Sequence, residues 1–262
     1  MKVGFIGGGN MGGALIGGLT QKCCVPSDIA LYEKDAQKAA AFKEMGINTV
    51  ESASAAEAAS EIIVFSVKPN IIDSVLSEMS GDKNKIYLSI AAGVTVAHLE
   101  EMLGADKKIV RAMPNTPAQV GCGMTVISPN KNVDDEDIKK VKMLLSAVGM
   151  VQQMDEKFMS VATALHGSSP AYVYMFIDAM ADAGVKYGLT KQQALTLAAQ
   201  AVAGSAEMVL SCGEHPEKLK DNVCSPGGTT IAAVCDLEKN GFRGIVQSAV
   251  CACVAKADEM SK

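Results

Sequence analysis

Phe5-Ile6-Gly7-Gly8-Gly9-Asn10-Met11-Gly12 follows the apolar run that opens the chain, and its reading decides the fold. Glycines at 7, 9 and 12 fit G-x-G-x-x-G. One glycine makes a tight turn, the next lets backbone approach a pyrophosphate, and the third lets the following helix pack against the strand. Backbone N–H groups at that helix start then meet the phosphate charge. Such a motif alone is weak, because glycine-rich turns occur in many folds. Set between a strand and a helix, it predicts that Gly7, Gly8, Gly9, Asn10, Met11 and Gly12 bind a dinucleotide.

Working outward, Val- and Ile-rich runs at 2–6, 29–32, 62–67, 86–90 and 108–112 alternate with helical stretches such as 36–45 and 71–79. That alternation implies right-handed βαβ crossovers and a mostly parallel, doubly wound sheet of α/β class, covered on both faces. Runs at 123–128 and 149–153 predict further strands, flanking a helix over 134–147. After about Phe158 the strand signal ends, so residues 1–158 read as the dinucleotide-binding domain and 159–262 as an all-α domain. Residues 170–188 form a helix with almost no polar face, carrying Tyr172, Val173, Met175, Phe176, Ile177, Met180 and Val185. Thr190 with Gln193 makes a capping box that opens a helix to about Ser211, and helices follow over 229–238 and 242–262. A helix apolar all round must be buried, and a domain of this size has little interior for it. Self-association is the expected cover.

The remaining composition mainly excludes. Net charge is −5, without a basic block, so no nucleic-acid footprint or anionic-membrane surface is expected. The N-terminus shows no signal-peptide pattern, and no apolar run is expected to span a bilayer. The cytoplasm is the expected location. Eight cysteines include no C-x-x-C pair, and His98, His166 and His215 stand at no ligand spacing with them. They read as buried free thiols, with no metal site.

Glu33, 21 residues past Gly12, stands where an acid would bind a ribose 2′-hydroxyl of NAD. Lys34 beside it would instead pair with the 2′-phosphate of NADP, and the sequence leaves both readings open. Three further strand ends carry Ser66-Val67-Lys68-Pro69, Ala91-Ala92-Gly93 and Met113-Pro114-Asn115-Thr116-Pro117. Any one is ordinary turn chemistry; at successive strand ends they predict a cofactor trough. Asn115 and Thr116 would supply polar groups to the nicotinamide carboxamide.

The strings F-I-G-G-G-N-M-G (5–12), V-K-P (67–69), A-A-G-V-T (91–95), M-P-N-T-P (113–117), G-S-S-P-A-Y (167–172) and D-N-V-C-S-P-G-G-T-T (221–230) resemble the pyrroline-5-carboxylate reductase family over nearly the whole chain. The last string is the most specific. His166 and Ser169 replace the Ser and second Gly of the family's S-G-S-G-P-A-Y, and Cys224 stands where Ser is usual. No asparagine precedes the strand ending at Val67, where some members contact adenosine ribose; Ser52 and Ala53 stand there. His166 reads as a packed or hydrogen-bonded residue before it reads as a new acid.

The resemblance implies that NADPH or NADH reduces a cyclic imine carboxylate by direct hydride transfer. It also implies a homodimer through the helical domain, with larger rings such as a decamer in some members. The implied substrate site is Asn222, Ser225, Gly227, Gly228, Thr229 and Thr230, and Thr230 hydrogen-bonds the ring nitrogen. Physically, a glycine-rich helix start presents about four unpaired N–H groups and partial positive charge to a carboxylate. Its alternative is a plain N-cap at one of the threonines. Two rival functions stand beside it: a β-hydroxyacid dehydrogenase using Lys186 as base, and a non-catalytic dinucleotide sensor.

Overall fold

The computed structural model of the chain describes residues 1–260. Strands β1 (Val3–Ile6), β2 (Ile29–Tyr32), β3 (Asn48–Thr49), β4 (Ile62–Phe65), β5 (Ile86–Ser89), β6 (Lys108–Met113), β7 (Gly123–Pro129) and β8 (Gly149–Gln153) form one sheet. Its order is β3-β2-β1-β4-β5-β6-β7-β8, and every pairing is parallel except that of β6 with β7. Successive strand residues face opposite sides. Val3, Phe5, Val64 and Leu88 therefore enter one apolar layer with Leu15 and Leu19, while Ile63, Phe65 and Tyr87 enter the other with Leu76 and Leu99. Burial on both faces explains why these strands read as continuous apolar runs.

The register places Ile6 beside both Tyr32 and Phe65, and Phe65 beside Ser89, so four strands end abreast. The chain order reverses at β1, with β2 on one side and β4 on the other. Ligands of open α/β sheets lie outside the carboxyl ends at such a switch point.

Helices α1 (Asn10–Lys22), α2 (Ala36–Glu44), α3 (Ala53–Ala58), α4 (Ile72–Leu76), α5 (Val96–Leu103), α6 (Asp135–Leu145) and α7 (Met159–Ala162) complete the first compact unit. A π-helical turn, Thr163–Gly167, follows α7. Contacts divide the chain after Ser168, whereas the sequence placed the break after 158; the stretch from Val254 onward groups with the first unit. The offset has a physical cause, because Met159 and Ala162 pack with Val126 of β7.

The second unit holds α8 (Ser169–Lys186), α9 (Lys191–Cys212), α10 (Pro216–Val223), α11 (Thr229–Lys239) and most of α12 (Phe242–Met260). Residues 261 and 262 of the expected last helix lie outside the described residues. The Thr190–Gln193 capping box forms as read. Small residues let α8 and α9 approach closely: a Cβ on Gly184 would sit 2.9 Å from that of Ala194. In α8 only Ala181 is buried, while Met175 is 73% exposed and Tyr174 59%. Within one chain the expected cover of this apolar helix is therefore missing.

Two expectations are corrected. The described cysteines are free, but none is buried; five are exposed and three half-buried. Within Lys191–Cys212 an 18-residue window has a mean hydropathy of 1.3, so the helix is long and apolar enough, by length and composition, to cross a bilayer. The elements β3, α3, α5 and α10 carried no signal strong enough to read. β3 is two residues held by its pairing with β2.

Candidate functional site: a dinucleotide cleft and a glycine-opened helix

The glycine loop is shaped by specific contacts. Gly7 takes φ +99°, a region that favours glycine, and its N–H donates to the Tyr32 carbonyl at 2.8 Å. The Ser66 hydroxyl, just past β4, donates to the carbonyls of Gly7 (2.6 Å) and Ile6 (3.2 Å), fastening the loop to the neighbouring strand. Gly12 sits so close beneath that a Cβ there would be 2.5 Å from the Gly7 carbonyl oxygen. A Cβ on Gly8 would meet the Phe42 ring at 2.6 Å. At Gly9 a Cβ would meet nothing within 4 Å.

Gly9 is also the N-cap of α1, and no side chain caps that helix. The ladder starts with Gly13 N–H donating to the Gly9 carbonyl at 2.7 Å. Backbone N–H groups and open space thus coincide at one point, which fits the pyrophosphate of a dinucleotide. Beside it opens a cavity of about 220 Å³, whose lining includes Gly7, Gly9, Tyr32, Glu33, Lys34, Ser66, Val67 and Lys68. Six residues expected from the sequence meet there. Ile71 and Val75 of the same wall were not foreseen. Phe42 was not foreseen as a shaping residue either; the glycine spacing says nothing of what packs behind it.

Glu33 is not a free loop charge. Its carboxylate accepts the Gly8 N–H at 2.6 Å and the Asp35 N–H at 2.9 Å. Lys34 and Lys68 are exposed at the same cavity.

The other strand ends are distributed differently. Ala91, Ala92 and Gly93 border a small cavity of about 50 Å³ with Arg111, Ala112 and Met113. Pro69 borders a separate depression with Ala92, Gly93 and His98. Asn115 was expected to supply a polar group to the carboxamide, and its side chain is engaged within the protein. It is buried, its Oδ1 accepting the Met124 N–H at 2.8 Å and its Nδ2 donating to the His166 carbonyl at 3.0 Å. The Asn115 backbone carbonyl accepts the Ala118 N–H at 3.1 Å. Thr116 is exposed and opens a 3₁₀ turn.

In the helical unit, Asn222 lies on α10, and the chain turns through Ser225, Pro226 and Gly227 (φ +70°) into α11. Gly228 is the N-cap (φ −81°, ψ 174°), its N–H donating to the Ser225 carbonyl at 3.0 Å. A Cβ on Gly228 would collide with the Ser225 hydroxyl. Thr229 and Thr230 are the first two helical residues, and no side chain caps the helix. The plain threonine N-cap is thereby excluded, which leaves the N–H groups and both hydroxyls available. At the far end of α11, Arg243 donates to Glu238 and Glu217 at 2.7 Å each, and Lys220 to Glu217 at 2.6 Å. Hydrogen bonds from Lys220 and Arg243 hold the Glu217 carboxyl down at about 2. Among the described residues no cluster could hold a metal ion.

A doubly wound sheet with an uncapped glycine loop at its switch point, joined to a helical unit, defines a Rossmann-type, dinucleotide-dependent oxidoreductase. Residues 2–93 match the family described as NADP oxidoreductase coenzyme F420-dependent, and residues 156–260 match pyrroline-5-carboxylate reductase dimerisation. The chain is 49% identical to the pyrroline-5-carboxylate reductase of Escherichia coli, covering 100% of this chain and 98% of that one. The structure of a pyrroline-5-carboxylate reductase from Coxiella burnetii matches with TM-score 0.95 at 35% identity, covering 100% and 98%. That of Plasmodium falciparum pyrroline carboxylate reductase with NADP bound matches with TM-score 0.89 at 38% identity, over the same shares. The chain belongs to the pyrroline-5-carboxylate reductase family.

Proposed function

We propose that this protein reduces 1-pyrroline-5-carboxylate to L-proline by direct hydride transfer from NADPH or NADH, the last step of proline synthesis. The observation that carries the reading is the start of α11, where Gly228 caps the helix and leaves Thr229 and Thr230 uncommitted. The N–H groups there hold the substrate carboxylate, and the glycines allow it close. Asn222 and Ser225 border the same turn. The Thr230 hydroxyl donates to the imine nitrogen, which favours hydride arrival at the adjacent carbon.

When bound, the dihydronicotinamide supplies the hydride. Gly7 to Gly12 hold its pyrophosphate, and Val67, Lys68 and Pro69 border the adenosine side. Ala91, Ala92, Gly93 and the backbone of Asn115 and Thr116 receive the nicotinamide. Orientation and charge complementarity are the chain's own contribution to rate.

The exposed apolar side chains of α8 support a homodimer through the helical unit, with a ring such as a decamer as the larger form. The same association accounts for the apolar α9 without a membrane. Free thiols throughout support a reducing, cytoplasmic location.

The deciding experiment follows oxidation of NADH and NADPH separately with pyrroline-5-carboxylate, alongside light scattering for the assembly. Turnover with at least one nucleotide is expected. Oxidation of hydroxy acids without imine reduction would select the Lys186 dehydrogenase reading instead. Nucleotide binding with no turnover on any cyclic imine would select the sensor.

A further inference from the structure

We propose that His166 is a positioning residue for the nicotinamide end of the site, tying loop 113–116 to the π-helical turn; this rests on the reading that the loop faces the nicotinamide. The His166 ring bridges two backbone carbonyls: Nε2 lies 2.7 Å from the Met113 oxygen and Nδ1 2.6 Å from that of Ala162. A carbonyl only accepts and a neutral imidazole carries one N–H, so the neutral ring donates to one of the two carbonyls and only the protonated ring to both.

The tie closes into a circuit. Asn115 Nδ2 returns a hydrogen bond to the His166 carbonyl at 3.0 Å, and Asn115 Oδ1 is fixed by the Met124 N–H at 2.8 Å. Gly167 packs so near that a Cβ there would lie 3.1 Å from Met113 Cε. The Thr163–Gly167 segment winds as a π-helix, with Ser168 N–H on the Thr163 carbonyl at 2.9 Å. Such turns concentrate at functional sites. A serine at 166 has one short hydroxyl and cannot span the same two carbonyls. Because both ring nitrogens point at backbone, neither is directed at a substrate, and His166 acts through the shape of the loop.

The test compares wild type, His166→Leu, which keeps bulk without donors, and His166→Gln, which keeps one donor. Dissociation constants for NADPH, NADH and ADP-ribose, which lacks nicotinamide, are measured by calorimetry. The primary deuterium isotope effect on kcat and the apo melting temperature are measured alongside. Loss of one to two backbone hydrogen bonds predicts roughly 5- to 30-fold weaker binding of the better nucleotide by His166→Leu. His166→Gln should fall between, ADP-ribose affinity should hold, and the isotope effect should rise. If His166→Leu does not fold, His166→Gln decides by the same readouts. Unchanged nucleotide affinity and isotope effect, even with a lowered melting temperature, overturns the proposal and leaves a structural histidine. Equal weakening of ADP-ribose overturns it too, since the tie would then act away from the nicotinamide. Failure of the underlying reading looks different: wild type itself would bind ADP-ribose as tightly as the whole dinucleotides.

Discussion

Replacing Gly9 by alanine separates folding from binding within the glycine loop. Gly9 has φ −67° and ψ −171°, which alanine adopts without strain, and its added methyl would meet nothing within 4 Å. Removing a glycine's freedom from the unfolded chain stabilises by about 0.4–1 kcal/mol. At about 2–4 °C per kcal/mol for a unit of this size, the apo protein should melt roughly 1–4 °C higher. The same methyl fills the space that the pyrophosphate must enter. Loss of one charge-assisted N–H contact is worth about 1.5–3 kcal/mol, so the nucleotide should bind roughly 10- to 150-fold more weakly. Calorimetric titration and apo thermal melting read the two effects independently. Gly12→Ala is the contrast, because its Cβ would press on the Gly7 carbonyl at 2.5 Å and the Ser66 hydroxyl at 2.8 Å. Overpacking there should cost about 1–3 kcal/mol of stability. Wild-type affinity in Gly9→Ala would refute the placement of the pyrophosphate, and a melting loss matching Gly12→Ala would refute the open space.

Thr230→Ala should lower turnover by about 10- to 100-fold, as for a positioned proton-transfer group, with the melting curve unchanged; near-normal steady-state rates would remove Thr230 from its role. Tyr87→Phe should lower the urea midpoint by the equivalent of about 1–3 kcal/mol with an unchanged slope. The Tyr87 hydroxyl donates to buried Glu57 at 2.6 Å, and Phe would leave that carboxylate only the N–H groups of Ser80 and Gly81; an unaltered midpoint contradicts this. Glu217, held down at about 2 by Lys220 and Arg243, stabilises the folded state above its ordinary value of 4.5. That contribution fades as pH falls through about 2, so the melting advantage of wild type over Glu217→Gln should shrink across that window. An equal advantage at pH 7 and pH 2 would exclude the network.

Much of the site was legible because its chemistry is local. Gly7, Gly9 and Gly12 must be glycines for reasons of turn, approach and packing that a few residues of sequence display. Gly227 and Gly228 open α11 as the glycine-rich start implied. What was illegible depends on partners far along the chain. Ser66 fastens Gly7 across 59 residues, Phe42 packs under Gly8, and Asn115 turns inward to Met124 and His166. Exposed cysteines defeated the expectation of burial, since a thiol's average preference does not reveal which helix face it occupies.

The alternation of apolar runs with helices determined by itself that a doubly wound sheet forms, because backbone pairing and burial on both faces demand continuous Val- and Ile-rich strands. The glycine spacing likewise determined where a phosphate can approach. Only the tertiary structure decided what each polar group does at that edge. Glu33 stood in the sequence as a ribose ligand or a loop charge, and the fold places its carboxylate on the N–H groups of Gly8 and Asp35. His166 stood as a packed histidine, and the fold sets its ring between two carbonyls 2.6 and 2.7 Å away. The reason is range: helix, strand and turn preferences act over a few residues, whereas hydrogen-bond partners are chosen by whatever the completed sheet brings alongside.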